Sequence, residues 1–215
     1  MQRKTAFAVG EYYHIYNRGV EKRKIFLDQK DHGRFVRLFY LANGDRPVVT
    51  RLVQGLPLDE IDVGNKKIAI GAYVLMPNHF HILVKEIKEG GATSFMEKLQ
   101  TGYSMYFNKK NERVGPLFQG TFKAEHVSRD EHLKYLFAYI HLNPLKLVEP
   151  DWEKGGVKDI KNTRRYLEEY KYSSYPDYVG VSREEGRILT PDEFPKYFSA
   201  PADFEGSLGD WLVQG

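Results

Sequence analysis

Apolar and polar positions along the chain divide it into a small set of elements. Tyr12-Tyr-His-Ile-Tyr-Asn17 is rich in aromatic residues and ends at Arg18-Gly19, which predicts a first strand. Phe35, Leu38, Phe39 and Leu41 recur at helical spacing, so a helix is expected to about Ala42, capped by Asp28 or Asp31. Residues 43–66 keep no period. Gly44, Pro47, Gly55, Pro57 and Gly64 punctuate them, with room for one short helical turn at Pro57–Ile61. Lys67–Met76 and Asn78–Lys85 read as two strands separated by Pro77. After Gly90-Gly91, Phe95, Leu99, Tyr103, Tyr106 and Phe107 mark a helix from Thr93 or Ser94 to about Lys110. Gly115–Val127 reads as a last strand. A helix capped by Asp130 then carries Leu133, Leu136, Phe137 and Ile140 to about Leu142. Pro144 is expected to push Asn143 out of the α region and fray the helix there.

The order strand, helix, strand, strand, helix, strand, helix is that of an α+β, ferredoxin-like antiparallel sheet with helices on one face, followed by one further helix. It occupies residues 1–150, with 43–66 as an inserted loop. Beyond Val148 the character changes: Trp152, Gly155-Gly156 and the basic segment 158–165 lead to Tyr172-Ser-Ser-Tyr175 and a proline-punctuated tail. Residues 151–215 are expected to be a C-terminal extension packed on the core.

Composition narrows the class. A chain of 215 residues with 41% hydrophobic content can bury a sizeable core. It has no cysteine, which excludes both a disulfide framework and a thiolate metal site. No signal-like or membrane-spanning run is evident, so a cytoplasmic protein without a membrane partner is expected. A net charge of +3 is only mildly basic; what matters is where the cations gather.

The chemistry centres on Ala72–Lys85. On a strand, His79 and His81 point one way and Phe80 the other, so two imidazoles project side by side from a rigid element. Imidazole suits manganese, iron or zinc, and water and phosphate oxygens can complete the shell of a harder ion. A His-x-His pair alone also fits two hydrogen-bonded strand residues, so its context decides. Tyr135, Tyr139 and Asn143 form a stripe at intervals of four beside the apolar face of the last helix. Cations recur in Arg18, Lys22 and Arg23, and again in Lys109, Lys110 and Arg113. Phe118, Phe122 and Lys123 interleave aromatic and basic groups in the manner that suits single-stranded nucleic acid. Glu125-His126 is read as a structural pair.

Four segments together carry a family resemblance: His14-Ile-Tyr-Asn-Arg-Gly19, Tyr73–Val84, Gly115-Pro-Leu-Phe-Gln-Gly-Thr-Phe-Lys123 and Tyr139-Ile-His-Leu-Asn-Pro144. The chain resembles the His-hydrophobic-His single-strand DNA tyrosine transposases, and most of all the REP-associated branch. Tyr172-Ser-Ser-Tyr175 extends the likeness, and the long 43–66 segment departs from it. The resemblance implies that His79, His81 and Asn143 hold a divalent metal, Mg2+ or Mn2+, and that Tyr139 attacks the scissile phosphate. The product would be a 5′-phosphotyrosine and a free 3′-hydroxyl. A phenol titrates near about 10, so this attack needs a cation or base nearby. Arg18, Lys22, Arg23, Lys109, Lys110, Arg113, Phe118 and Lys123 would contact DNA. The implied partner is single-stranded or hairpin DNA; the family includes homodimers and monomers, and the sequence leaves both open. The alternatives are a domesticated hairpin-binding protein that does not cut, and a metallohydrolase using water. The absence of His-Glu-x-x-His argues against the latter.

Overall fold

In the computed structural model, which describes residues 6–198 and 200–214, four antiparallel strands form one sheet. They are β1 (Tyr12–Arg18), β2 (Ile68–Met76), β3 (His79–Glu86) and β4 (Lys123–Val127), in spatial order β2-β3-β1-β4. Helices α1 (Gln29–Asn43) and α2 (Gly91–Lys110) cover one face. With the strand order, that is the ferredoxin-like arrangement the sequence pattern predicts. Asp28 caps α1 by accepting from the Asp31 N–H. Glu86 caps α2: its buried carboxylate accepts from the N–H groups of Gly91 and Ala92, so the helix begins two residues before Thr93.

Register fixes what each face carries. Ile15, Ile70, Tyr73, Phe80, Ile82 and Val84 turn toward α1 and α2 and pack with Phe35, Phe39 and Phe95. The opposite face presents His14, Tyr16 and Arg18 of β1 beside Leu83, His81 and His79 of β3, with Glu125 and Lys123 following on β4. Helix α3 (Asp130–Leu142) covers part of this second face, packing Leu133, Leu136, Phe137 and Ile140 on Val74, Met76 and Leu83.

Two local expectations are corrected. Gly115–Val127 is not one strand: only Lys123–Val127 pairs as β4. Gly120 takes φ of 72°, a left-handed turn that favours glycine, and the preceding residues fold inward so that Leu117 and Phe118 enter the core. Gly19 is needed for space and not for a left-handed backbone. Its φ is −60°, and a Cβ there would lie 2.8 Å from the Ile25 side chain. Asn143 stays in the α region, at φ −53° and ψ −37°, and the chain runs on as a 3-10 turn over Asn143–Leu147. Proline at the second position of that turn gives up only an N–H that would have no partner there.

The segment 43–66 closes at its base, where Asn43 Oδ1 accepts from the N–H groups of Lys67 and Ile68. It sends Leu58, Ile61 and Val63 into the core under α1. The extension supplies α4 (Ile160–Glu169), the short α5 (Tyr175–Tyr178) and α6 (Pro201–Gln214). Leu75 N–H donates to Tyr172 C=O, and Ser174 N–H donates to Tyr73 C=O, so residues 172–174 pair along the outer edge of β2. That satisfies an edge which would otherwise be open to another chain. Trp152, Leu167, Tyr175, Phe204, Leu208 and Leu212 pack against Ala138 and Leu142 on the far side of α3. Among the described residues no helix is long and apolar enough to cross a membrane.

Candidate active site

Between α3 and the second face of the sheet lies a cleft of about 560 Å³. His79, His81, Tyr139 and Asn143 all line it, with Arg18 and Lys123 on the sheet side. The strand period brings the histidines together, their ring centroids 5.1 Å apart, and the helical period brings Asn143 to the side of Tyr139. The Tyr139 ring stands edge-on to His81, centroids 5.4 Å apart, and the residue is half-buried.

Both imidazoles are in the neutral form that metal ligation needs. His79 Nδ1 lies 2.6 Å from Asn78 Oδ1. The orientation of that amide follows from its other end, where Asn78 Nδ2 donates to Lys22 C=O. An amide oxygen only accepts, so His79 carries its hydrogen on Nδ1 and keeps a lone pair on Nε2. Burial, with help from Arg18 and Lys146, lowers the pKa of His79 to about 4. Burial together with His14 and His79 holds His81 well below the usual histidine range. Both rings are therefore unprotonated at neutral pH, as metal ligation requires.

Asn143 completes the donor set. It is buried, and neither its Oδ1 nor its Nδ2 finds a protein hydrogen-bond partner. A buried amide left unmade costs free energy unless a ligand or water meets it. Among the described residues no three His, Asp or Glu side chains gather into a metal cage. The residues present thus fit a divalent ion held by two imidazoles and an amide oxygen, with water or phosphate oxygens completing the shell.

Three groups in the cleft were not singled out from the sequence. His14 Nε2 lies 2.8 Å from His81 Nδ1. Tyr16 donates to Glu125 Oε1 at 2.7 Å, and burial and that bond push its pKa up to about 12. Lys146 places its Nζ 5.2 Å from the Tyr139 ring centroid while pairing with Glu153 at 3.1 Å. His126 instead pairs with Glu11 at 2.6 Å. The 3-10 turn carries Lys146 back over the cleft, which a fraying end at Asn143 would not do.

The other expected DNA contacts divide. Arg18 and Lys123 are exposed and line the cleft. Arg23 pairs with Glu21, Arg113 bonds Asn108, and Lys110 is held between Asp28 and Asp31. Lys22 and Lys109 are exposed but lie outside the cleft lining. Phe118 is buried at 5% exposure and packs edge-on to Phe80, so its ring cannot serve as a stacking platform for bases.

No curated protein matches the chain. Residues 62–143 match the family model described as "Transposase IS200 like", a stretch that contains His79, His81, Tyr139 and Asn143. A solved REP-associated tyrosine transposase bound to a REP hairpin is similar over 93% of this chain and 96% of its own, at a TM-score of 0.52 and 14% identity. At that identity the likeness speaks for the fold. Residues 62–143 are thus similar to the IS200-like transposases, and the chain shares the fold of the REP-associated tyrosine transposase.

Proposed function

We propose that the protein is a metal-dependent endonuclease and strand transferase for single-stranded DNA near hairpins, working through a 5′-phosphotyrosine on Tyr139. The carrying observation is the buried, unpartnered Asn143 amide one helical turn from Tyr139, in the cleft that His79 and His81 enter. A non-catalytic hairpin binder has no use for that set.

The residues divide the work as follows. His79, His81 and Asn143 hold a divalent ion, Mg2+ or Mn2+, which when bound neutralises charge on the scissile phosphate. Arg18 and Lys123 track the flanking phosphates. Tyr139 attacks: its oxygen bonds to phosphorus, the bond from phosphorus to the 3′-oxygen breaks, and that oxygen leaves as a hydroxyl after gaining a proton. One high-energy link is kept for rejoining. Lys146 places positive charge beside the Tyr139 ring, where it meets negative charge that develops on the reacting phosphate. Tyr139 meets the histidines of its own chain, an arrangement in which one chain supplies the whole site.

The test is to incubate the protein with end-labelled hairpin DNA carrying a single-stranded flank, with Mn2+ or with chelator. A denaturation-resistant protein–DNA adduct is expected with Mn2+ only, and none in His81→Ala. Specific hairpin binding with no adduct under any divalent metal would leave the domesticated binder as the account.

A further inference from the structure

His14 is buried at 6% exposure at the centre of β1, and its Nε2 faces His81 Nδ1 at 2.8 Å, the rings lying nearly parallel with centroids 5.0 Å apart. Two neutral imidazoles can share one hydrogen across such a contact in two ways. If His14 donates, His81 keeps its hydrogen on Nε2 and cannot ligate through that nitrogen. If His81 donates from Nδ1, its Nε2 lone pair is left for an ion. Glu125 stands directly opposite His14 on β4 and puts negative charge beside the ring. That disfavours a bare lone pair on the His14 nitrogen turned away from His81, and so favours His81 as donor. The adjacent ligand follows the same rule, since Asn78 forces the Nδ1–H form of His79.

We propose that His14 is the positioning residue of the metal site: it accepts the Nδ1–H of His81, fixing the tautomer and ring orientation that turn Nε2 toward the ion. The proposal rests on the metal-site reading above. Groups that accept the outer N–H of a ligating histidine also raise its basicity, and losing them typically costs about ten- to a hundredfold in metal affinity. His14 touches neither the ion nor DNA in this role.

The test uses His14→Leu, which fills the space without an acceptor, and His14→Gln, whose amide oxygen can take the place of Nε2. Long-range proton–nitrogen correlations of the metal-free, histidine-labelled protein read the tautomer directly. The wild type is expected to show His81 as Nδ1–H. His14→Leu is expected to move His81 toward Nε2–H, leave His79 as Nδ1–H because Asn78 still holds it, and bind Mn2+ about ten- to a hundredfold more weakly by calorimetry. His14→Gln is expected to restore both readouts. A wild-type His81 protonated on Nε2 overturns the proposal, and so does a His14→Leu variant with unchanged tautomer and affinity. Should either variant fail to fold by circular dichroism, the wild-type tautomer still decides. Because that spectrum needs neither metal nor DNA, failure here is distinguishable from failure of the cleavage reading.

Discussion

The Lys146 ammonium lies 5.2 Å from the centroid of the Tyr139 ring, one helical turn beyond the Asn143 amide. A cation there meets negative charge that develops on the reacting phosphate, while opposing protonation of His79 and His81. Lys146→Met keeps the stem and removes the charge. Adduct formation in single turnover should slow by about tenfold to a hundredfold, less than the loss of a direct oxyanion donor. Lys146→Arg should retain most of the rate. Mn2+ affinity should not fall in Lys146→Met, because a like charge leaves the neighbourhood of the ligands. Wild-type rates in Lys146→Met would remove the lysine from the chemistry.

DNA binding should sort the cations by their place in the fold. Arg18 and Lys123 line the cleft, whereas Lys110 is tied to Asp28 at 2.7 Å and Asp31 at 2.5 Å beside α1. Arg18→Ala and Lys123→Ala should each weaken hairpin binding and reduce the salt slope by about one. Lys110→Ala should leave both unchanged. A single-stranded flank should compete better than blunt duplex, since α3 walls one side of the cleft. Gel-shift competition across a salt series checks this, and equal effects from all three variants would mean that the cleft is not the DNA path.

Much of this was legible because it follows from local period. Two residues apart on a strand places His79 and His81 on one face, and four apart on a helix places Asn143 beside Tyr139. The strand and helix order was enough for the ferredoxin-like core. What was hidden depends on register and turns. His14 pairs with His81 only because β1 runs antiparallel to β3 in one register, and the sequence of β1 alone does not contain that register. Phe118 looked available for stacking because Gly115–Val127 reads as extended, but Gly120 turns the chain and buries the ring. Lys146 was missed because Pro144 looked like a stop, whereas the chain continues as a 3-10 turn. The pairing of residues 172–174 with the β2 edge left no sign in the pattern of either segment.

Acid should loosen the join between the core and the extension. His141 is fully buried on α3, with Nδ1 donating to Phe137 C=O at 2.8 Å and Nε2 accepting from Ser174 Oγ at 2.7 Å. Burial lowers its pKa to about 3, opposed by the Phe137 carbonyl. The folded value lies below the unfolded one of about 6.5, so the unfolded chain binds more protons between them. Its contribution is whole above about pH 6.5 and falls by up to about 1.4 kcal/mol per pH unit as pH drops toward 3. Urea unfolding at pH 7, 6 and 5 should show this decline. His141→Leu should start less stable at pH 7, because the short bond between Ser174 Oγ and His141 is lost and only the contacts of that hydroxyl with Tyr73 remain, and then lose less with acid. An acid slope equal to wild type would show that His141 is not the group being titrated.

The proposed nucleophile has a rival on its own helix. Tyr103 is buried with its hydroxyl bonded to Ile25 C=O, and Tyr106 donates to Asp31 at 3.0 Å, so both belong to the α1–α2 face. Tyr135 lies on α3 one turn before Tyr139, its ring stacked on it at 5.8 Å, and it also lines the cleft. The two differ in what they face. Tyr139 stands against His81 and His14, whereas Tyr135 leans outward against Trp211 of α6, centroids 5.4 Å apart. On the proposed reading, a phosphate held through His79 and His81 would meet Tyr139 first. A tyrosine-to-phenylalanine change removes one oxygen and keeps the ring, so stacking and fold persist while attack stops. Tyr139→Phe should bind Mn2+ and hairpin DNA like wild type, yet form no covalent adduct and release no 3′-hydroxyl. Tyr135→Phe, Tyr103→Phe and Tyr106→Phe should still form the adduct. An adduct lost in Tyr135→Phe and kept in Tyr139→Phe would exchange their roles. Cleavage in all four, with no adduct in any, would make a water molecule the nucleophile.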